Sequence, residues 1–449
     1  MIRAYKQHSQ FILIMVIIYV IGVWGGPVVY PVFPMFMVLF GIRKRYFELF
    51  VLSLWLLILS DYVPLKDATH DDLQFAKDLK FMIPLFLGGF ILLNREDFKP
   101  FPRLIIWFIP FLTVITIGLM YSINFSVGVE KTVSYILIFL TVPMYVSLLN
   151  KKGGVDFWNA LITFIIGMLA IGIVLRFVAP QIAMLEGGRF KSVLGNPNGL
   201  GIFLNLTFIL WYVTRQSGLS NFTKNEHRFI LGVIFLSLIW SGSRNGMVSI
   251  FLFFLLNVLI RTHWFFAIIT IVILFTFNDQ IFEVFLGGVR YLGLEEFFRI
   301  ESIEEGSGRK IAWVFAWQEI QNYYFIGGGL GTDENVMRPN YYWLSKLGHQ
   351  GGVHNSYLSM WFDAGIIGVF AYFIAFIAVI IRAAKNNLAA LAFGVTILFN
   401  IFYESWLVAS LNPFSILYLT ILTIFFCDLK NKEAVVNDES KISPIKVIT

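Results

Sequence analysis

The chain has 449 residues, of which 58% are apolar and 14% charged, whereas a soluble domain carries about a quarter charged residues. Mean hydropathy is +0.76, and 48 Phe and 12 Trp dominate the aromatic count, which is more apolar surface than one globular core of this size can hide. A soluble enzyme, a nucleic-acid-binding module and a disordered scaffold are therefore disfavoured, and the formal net charge of +6 reads as topology because most Lys and Arg sit in short loops between apolar runs.

Arg3 and Lys6 precede an apolar run that starts at Phe11. No small-residue cleavage site follows, and apolar sequence continues past Pro27, so this run is expected to be a retained first span and not a signal peptide. A helix crosses about 30 Å of hydrocarbon with roughly 20 residues. The apolar runs fall at 11–25, 27–42, 47–60, 79–93, 104–122, 132–149, 157–178, 199–214, 229–241, 247–260, 264–277, 356–381, 388–409 and 412–427. Several are short, which implies tilted or partly embedded helices. Gly25-Gly26-Pro27 is either a tight turn or a kink between the first two. The expected fold is an all-α, polytopic integral membrane protein with about 12–14 transmembrane helices. It divides into N-terminal transmembrane helices over 1–277, a large extracytoplasmic loop over 278–355, C-terminal transmembrane helices over 356–427 and a cytoplasmic tail over 428–449.

The Lys and Arg positions give the sides. With the N-terminus inside, one set of loops collects Arg43-Lys44-Arg45, Arg95, Lys99, Arg103, Lys151-Lys152, Arg215, Lys224, Arg228, Arg261, Arg382 and Lys385. The opposite loops hold few: Lys66, Lys77, Lys131, Arg189, Lys191 and Arg244. Both termini are thus expected in the cytoplasm. The outer segment 278–355 is long, polar and rich in acid at Glu295-Glu296, Glu301 and Glu304-Glu305. It also carries the run Gly327-Gly328-Gly329-Leu330-Gly331, and the spacing of its apolar residues predicts an amphipathic helix over about 309–322. A long loop with structure of its own is usually functional.

The polar groups of the outer side suggest chemistry. Arg244 lies in the very short turn Ser241-Gly242-Ser243-Arg244-Asn245, close to hydrocarbon, where a charge usually marks a function. The plainer alternative is an interfacial arginine snorkelling to headgroups. Arg189 precedes Asn196-Pro197-Asn198-Gly199, a stretch that can cap the next helix and offer amide donors there. Arg309 opens the loop helix, where a cation opposes the dipole and calls for an anion; Glu304 or Glu305 would supply an ordinary salt bridge. His354-Asn355 closes the loop, followed by Gly365 and Gly368 on the next span, small residues that permit close helix packing. Asp363 falls about two turns into that span and must face protein or water. Glu404 is expected near the outer end of its span, in the same polar pocket. Guanidinium groups bind phosphate in bidentate fashion, and a neutral histidine can accept a proton from a hydroxyl. The set fits attack on a carbon whose leaving group is a phosphate or diphosphate. The single Cys427 and the scattered histidines show no metal-ligand spacing, so neither a metal nor a cofactor is called for.

Ser307-Gly308-Arg309, the Gly327–Gly331 run and His354-Asn355 … Gly365 … Gly368 resemble the O-antigen ligase and Wzy-type O-antigen polymerase superfamily. The resemblance extends from about Arg189 to Glu404. It implies an integral-membrane, metal-independent glycosyltransferase at the outer leaflet of the bacterial inner membrane, with an undecaprenyl-diphosphate-linked oligosaccharide as donor. Carried onto this sequence, Arg189, Arg244 and Arg309 would contact the donor diphosphate and His354 would be the general base or orient the acceptor hydroxyl. Asn198, Asn355, Asp363 and Glu404 would support them. Membrane lipids, a chain-length regulator and a flippase are the implied partners, and nucleic acid is not. Ligases often have Leu four residues after the loop arginine, where this chain has Trp313.

Polymerase and ligase share a donor and differ in acceptor. The 278–355 segment has ten Asp and Glu against six Lys and Arg, a net of −4, poorly suited to the phosphate-rich lipid A–core that a ligase docks. The expected activity is therefore polymerisation of lipid-linked repeat units into O-antigen or a related surface polysaccharide, with ligation as the alternative. A transporter for the same lipid-linked sugar would place its site near the midplane of repeated halves, and no repeat is visible.

Overall fold

The computed structural model describes residues 1–62, 73–185, 188–276, 309–348 and 351–429, with a few positions between 283 and 293. Lys66, the acidic pairs 295–296 and 304–305, Glu301, Ser307-Gly308 and the tail 430–449 lie outside the described residues. Among those described there is no sheet, only an isolated bridge between Met184 and Phe190. The principal helices are α1 (Ser9–Trp24), α2 (Val29–Ile42), α3 (Tyr46–Tyr62), α4 (Met82–Leu93), α5 (Leu104–Gly118), α6 (Phe125–Val178), α7 (Pro197–Gln216), α8 (Lys224–Ser241), α9 (Arg244–Thr262), α10 (Trp264–Thr276), α11 (Arg309–Ile320), α12 (Thr332–Lys346), α13 (Ser356–Ala384), α14 (Ala389–Tyr403) and α15 (Pro413–Phe426). Among the described residues four segments are long and apolar enough to cross a membrane, Leu104–Tyr121, Phe125–Val178, Arg244–Thr262 and Ser356–Ala384, and shorter apolar helices accompany them. The protein is an all-α, multi-pass membrane protein. Large apolar side chains stay exposed on its flanks, Leu92 and Leu93 at 78% and Phe177 at 71% among them, as a lipid-facing surface requires.

The breaks between helices follow from local chemistry. α6 is two spans joined at Gly154, whose φ of 47° and ψ of −128° no helix interior adopts, two residues after Lys152. α8 ends on Gly242 in the left-handed region, and Ser243 then caps α9 by accepting from the Gly246 amide. That cap explains why so short a turn can reverse the chain. The apolar run 388–409 is not one helix: α14 stops at Tyr403, Glu404 is extended, and 404–412 is irregular until Asn412 caps α15.

The two ends of the bundle are stitched separately. At the basic end, Asp97 binds Lys44 at 2.9 Å, Lys152 at 3.3 Å and the Tyr46 hydroxyl at 2.8 Å, and the N-terminal ammonium meets Glu226 at 2.5 Å. At the other end, the Gly195 amide donates to Asp61 at 3.1 Å, and Lys131 pairs with Glu334 at 3.0 Å. Among the described residues, every ion pair between loops joins loops that the Lys and Arg pattern puts on one side.

A second, smaller core forms a cap on the second end. Ala312, Ala316 and Ile320 of α11 pack with Met337 and Leu344 of α12, with Val353, and with Phe362 of α13. Gly365 breaks α13 with φ 62° and ψ 179°. The amides of Ile366 and Ile367 there take the carbonyls of Tyr324 and Phe325 at 2.8 and 3.3 Å, and the Gly328 amide donates to Phe362 at 2.9 Å. A Cβ on Gly365 would overlap the Phe325 carbonyl. Gly365 therefore admits loop backbone into the helix and is not a helix-packing residue, as its spacing had suggested. Gly368 does pack closely, against Val114 and Phe111 of α5.

Candidate functional site

The N-termini of α7, α9, α13 and α15 all point to the cap end, each closed by an extended Asn or Ser: Asn196, Ser243, Asn355 and Asn412. Their dipoles add positive potential to the end that carries Arg189, Arg244 and Arg309, which favours an anion.

Glu404 lies at the centre of the site. Its Oε1 accepts from Arg309 Nη2 at 3.0 Å, and its Oε2 is 3.6 Å from His354 Nδ1. The Glu404 side chain is 8% exposed, Arg309 20% and His354 32%, so the imidazole is the most open of the three. Ser356, at the start of α13, donates to the Glu404 carbonyl at 2.7 Å and fixes the backbone of the carboxylate to the helix that follows His354. The anion that compensates Arg309 is thus Glu404, 95 residues on; Glu304 and Glu305 are not described. A carboxylate at Nδ1 favours the tautomer with its proton there, leaving Nε2 to act as base. Nε2 faces Gly351, where a Cβ would lie 2.9 Å from it.

Arg189 is held on the Ser241–Gly242 turn that leads into Arg244. Arg189 Nε donates to the Ser241 carbonyl at 3.0 Å and Nη2 to Asn198 Oδ1 at 3.0 Å, while the Phe190 amide bonds to the Trp240 carbonyl. Arg189 therefore lies against the turn that presents Arg244. Asn198 orients Arg189; the capping of α7 is done by Asn196, which accepts from Gly199 at 2.7 Å. A polar ring then joins the Arg244 end of α9 to α14. Asn245 donates to the Asn400 carbonyl at 3.1 Å, the Asn400 amide to Ser249 Oγ at 3.0 Å, Ser249 to Asn245 Oδ1 at 3.4 Å, and Trp406 Nε1 to Asn400 Oδ1 at 2.8 Å. Asn400 is one helical turn, roughly 6 Å, before Glu404.

Two expected members behave differently. Asn355 accepts from the Tyr357 and Leu358 amides at 2.9 and 3.1 Å; it caps α13. Asp363 does not join the pocket of His354. It lies nine residues along α13, about 13 Å at 1.5 Å per residue, and its carboxylate accepts from the Asp333 amide at 3.2 Å. There, with Lys131 and Glu334, it fastens the cap to the bundle, and burial pushes the neighbouring Asp333 carboxyl up. Ser249 and Asn400 are not singled out by the sequence, and Asn245 and Trp313, though named there, carry no role in it. Lone asparagines in apolar helices were the available signal. Among the described residues no three His, Cys, Asp or Glu side chains gather as metal ligands would.

The described residues thus form a capped helical membrane bundle whose cap end gathers Arg189, Arg309, Glu404 and His354. Residues 229–373, about a third of the chain, match the family model described as O-antigen ligase. This segment contains Arg244, Arg309, His354, Asn355 and Asp363, and over it the chain is similar to the O-antigen ligase family. Among curated proteins no relative matches the chain.

Proposed function

We propose that the protein is a glycosyltransferase that polymerises undecaprenyl-diphosphate-linked oligosaccharide repeat units into O-antigen or a related surface polysaccharide. It would do so from the outer face of the bacterial inner membrane with both termini cytoplasmic. The single observation behind this proposal is the Arg309–Glu404–His354 bridge under the cap, beside the Arg189–Arg244 turn. The acceptor hydroxyl of another lipid-linked repeat lies at His354 Nε2, which takes its proton as the oxygen attacks the anomeric carbon. The bond from that carbon to the diphosphate breaks, and undecaprenyl diphosphate leaves with the electron pair. Arg189, Arg244, the remaining N–H groups of Arg309 and the helix N-termini stabilise the departing charge. Glu404 holds the imidazole tautomer and the imidazolium that forms. The polyprenyl chain lies along the apolar flanks. A chain-length regulator and a flippase complete the pathway.

Ligation to lipid A–core is the second reading, favoured by the description of the matching family. The acidic balance of the 278–355 segment supports polymerisation. A deletion strain separates the two: lipid A–core bearing one repeat indicates polymerase, and core with no repeat indicates ligase.

A further inference from the structure

Trp313 makes the contact nearest to the His354 backbone that no role above absorbs. Its indole Nε1 donates to the carbonyl of Val353 at 3.0 Å. Its ring meets Phe402 edge-on, with centroids 5.3 Å apart, and lies 6.5 Å from Tyr403, so the end of α14 supports it. Val353 is 2% exposed within the cap core, where its carbonyl has little access to water. The next residue, His354, has φ of +50°. A non-glycine residue occupies that left-handed region only when its surroundings impose it. Trp313 also stands four residues after Arg309, on the same face of α11. One helix face therefore grips both halves of the catalytic pair: Arg309 takes the Glu404 carboxylate, and Trp313 takes the backbone entering the imidazole.

We propose that Trp313 is a positioning residue for His354, its indole N–H setting the backbone turn that aims the imidazole at the acceptor hydroxyl. Productive geometry then exists only while α11 is docked on α14. An aliphatic side chain could fill the space, but it could not hold the carbonyl. The proposal rests on His354 acting in glycan transfer as described above.

The test uses the full-length protein in lipid vesicles with undecaprenyl-diphosphate-linked repeat units. Trp313 is replaced by 3-benzothienylalanine, which keeps the ring shape and puts sulfur in place of N–H. The expected result is a fall in kcat of about tenfold or more and KM within about twofold of the parent, the pattern of a lost transition-state arrangement, in a variant that remains folded with a lowered unfolding temperature, because the buried Val353 carbonyl loses its donor. Trp313→Phe, which keeps a ring against Phe402 without a donor, should give the same split and stands in if the non-natural variant does not assemble. Parental kcat in the folded variants, or a rise in KM alone, overturns the proposal. His354→Ala in parallel keeps the two ideas apart: full transfer there would defeat the assigned chemistry, whereas its loss alongside parental kcat in the Trp313 variants would defeat only the positioning role.

Discussion

Glu404 faces His354 and Arg309 at once, with Oε2 3.6 Å from the imidazole Nδ1 and Oε1 3.0 Å from the guanidinium. A carboxylate shared in this way ties the state of the imidazole to the placement of the cap helix. Glu404→Gln keeps the shape and removes the charge. A charge-assisted hydrogen bond contributes about 1.5–3 kcal/mol, so transfer should fall roughly ten- to a hundredfold. The rate of undecaprenyl diphosphate release by purified protein is the readout, and an unchanged rate would remove Glu404 from the mechanism.

Gly351 should tolerate no side chain. Its φ is +114°, and an added Cβ would lie 2.9 Å from His354 Nε2. Gly351→Ala is expected to displace the imidazole and lower transfer as much as His354→Ala, a loss of about 10²–10⁴-fold for a general base. The backbone strain at that φ should cost about 1–3 kcal/mol, so the unfolding temperature falls as well, and transfer should be lost even where the variant remains folded. Full activity in Gly351→Ala would mean that Nε2 is not where the reaction happens.

Asn400 closes the polar ring with Asn245, Ser249 and Trp406. Asn400→Leu leaves those groups short of partners in an apolar bundle. The cost should be about 1–2 kcal/mol, at the upper end of interhelical hydrogen bonds in membranes. Thermal unfolding in detergent measures it. Because the ring ties Asn245, the neighbour of Arg244, to α14, activity should drop further than stability alone explains.

The basic end should show an acid limit. Hydrogen bonds from Lys44 and Tyr46, with Lys152 nearby, lower the Asp97 carboxyl from its ordinary 3.8 to about 2. A carboxyl lowered on folding stabilises the protein above its unfolded value, and that stabilisation is lost as pH falls from about 4 towards about 2. Unfolding temperature followed over that window should decline more steeply in the parent than in Asp97→Asn. Equal slopes would show that the Asp97 pairs do not couple to folding.

Much of the bundle is legible in the sequence because lipid imposes it. Apolar runs and Lys and Arg positions mark the spans and sort the loops by side, and the ion pairs at each end respect that sorting. The helix beginning at Arg309 is legible from its apolar spacing. What hydropathy cannot carry is the long-range partner. Nothing local shows that Arg309 reaches Glu404, or that Asp363 takes the Asp333 amide at the start of α12. The break at Gly365 looks like a packing glycine because a Gly at i and another at i+3 read alike whether a helix or a loop backbone approaches. Trp313 looks like a departure from family pattern, and its role is visible only once Val353 lies beside it.

The most direct measurement is glycan length and undecaprenyl diphosphate release when purified protein in vesicles is given lipid-linked repeat units alone, compared among the parent, Arg244→Ala and His354→Ala. Elongation with stoichiometric release by the parent, and its loss in both variants while they remain folded, is the predicted result. No elongation by the parent, or elongation that persists in either variant, would contradict a single outer-face site built from the arginine turn and the capped histidine.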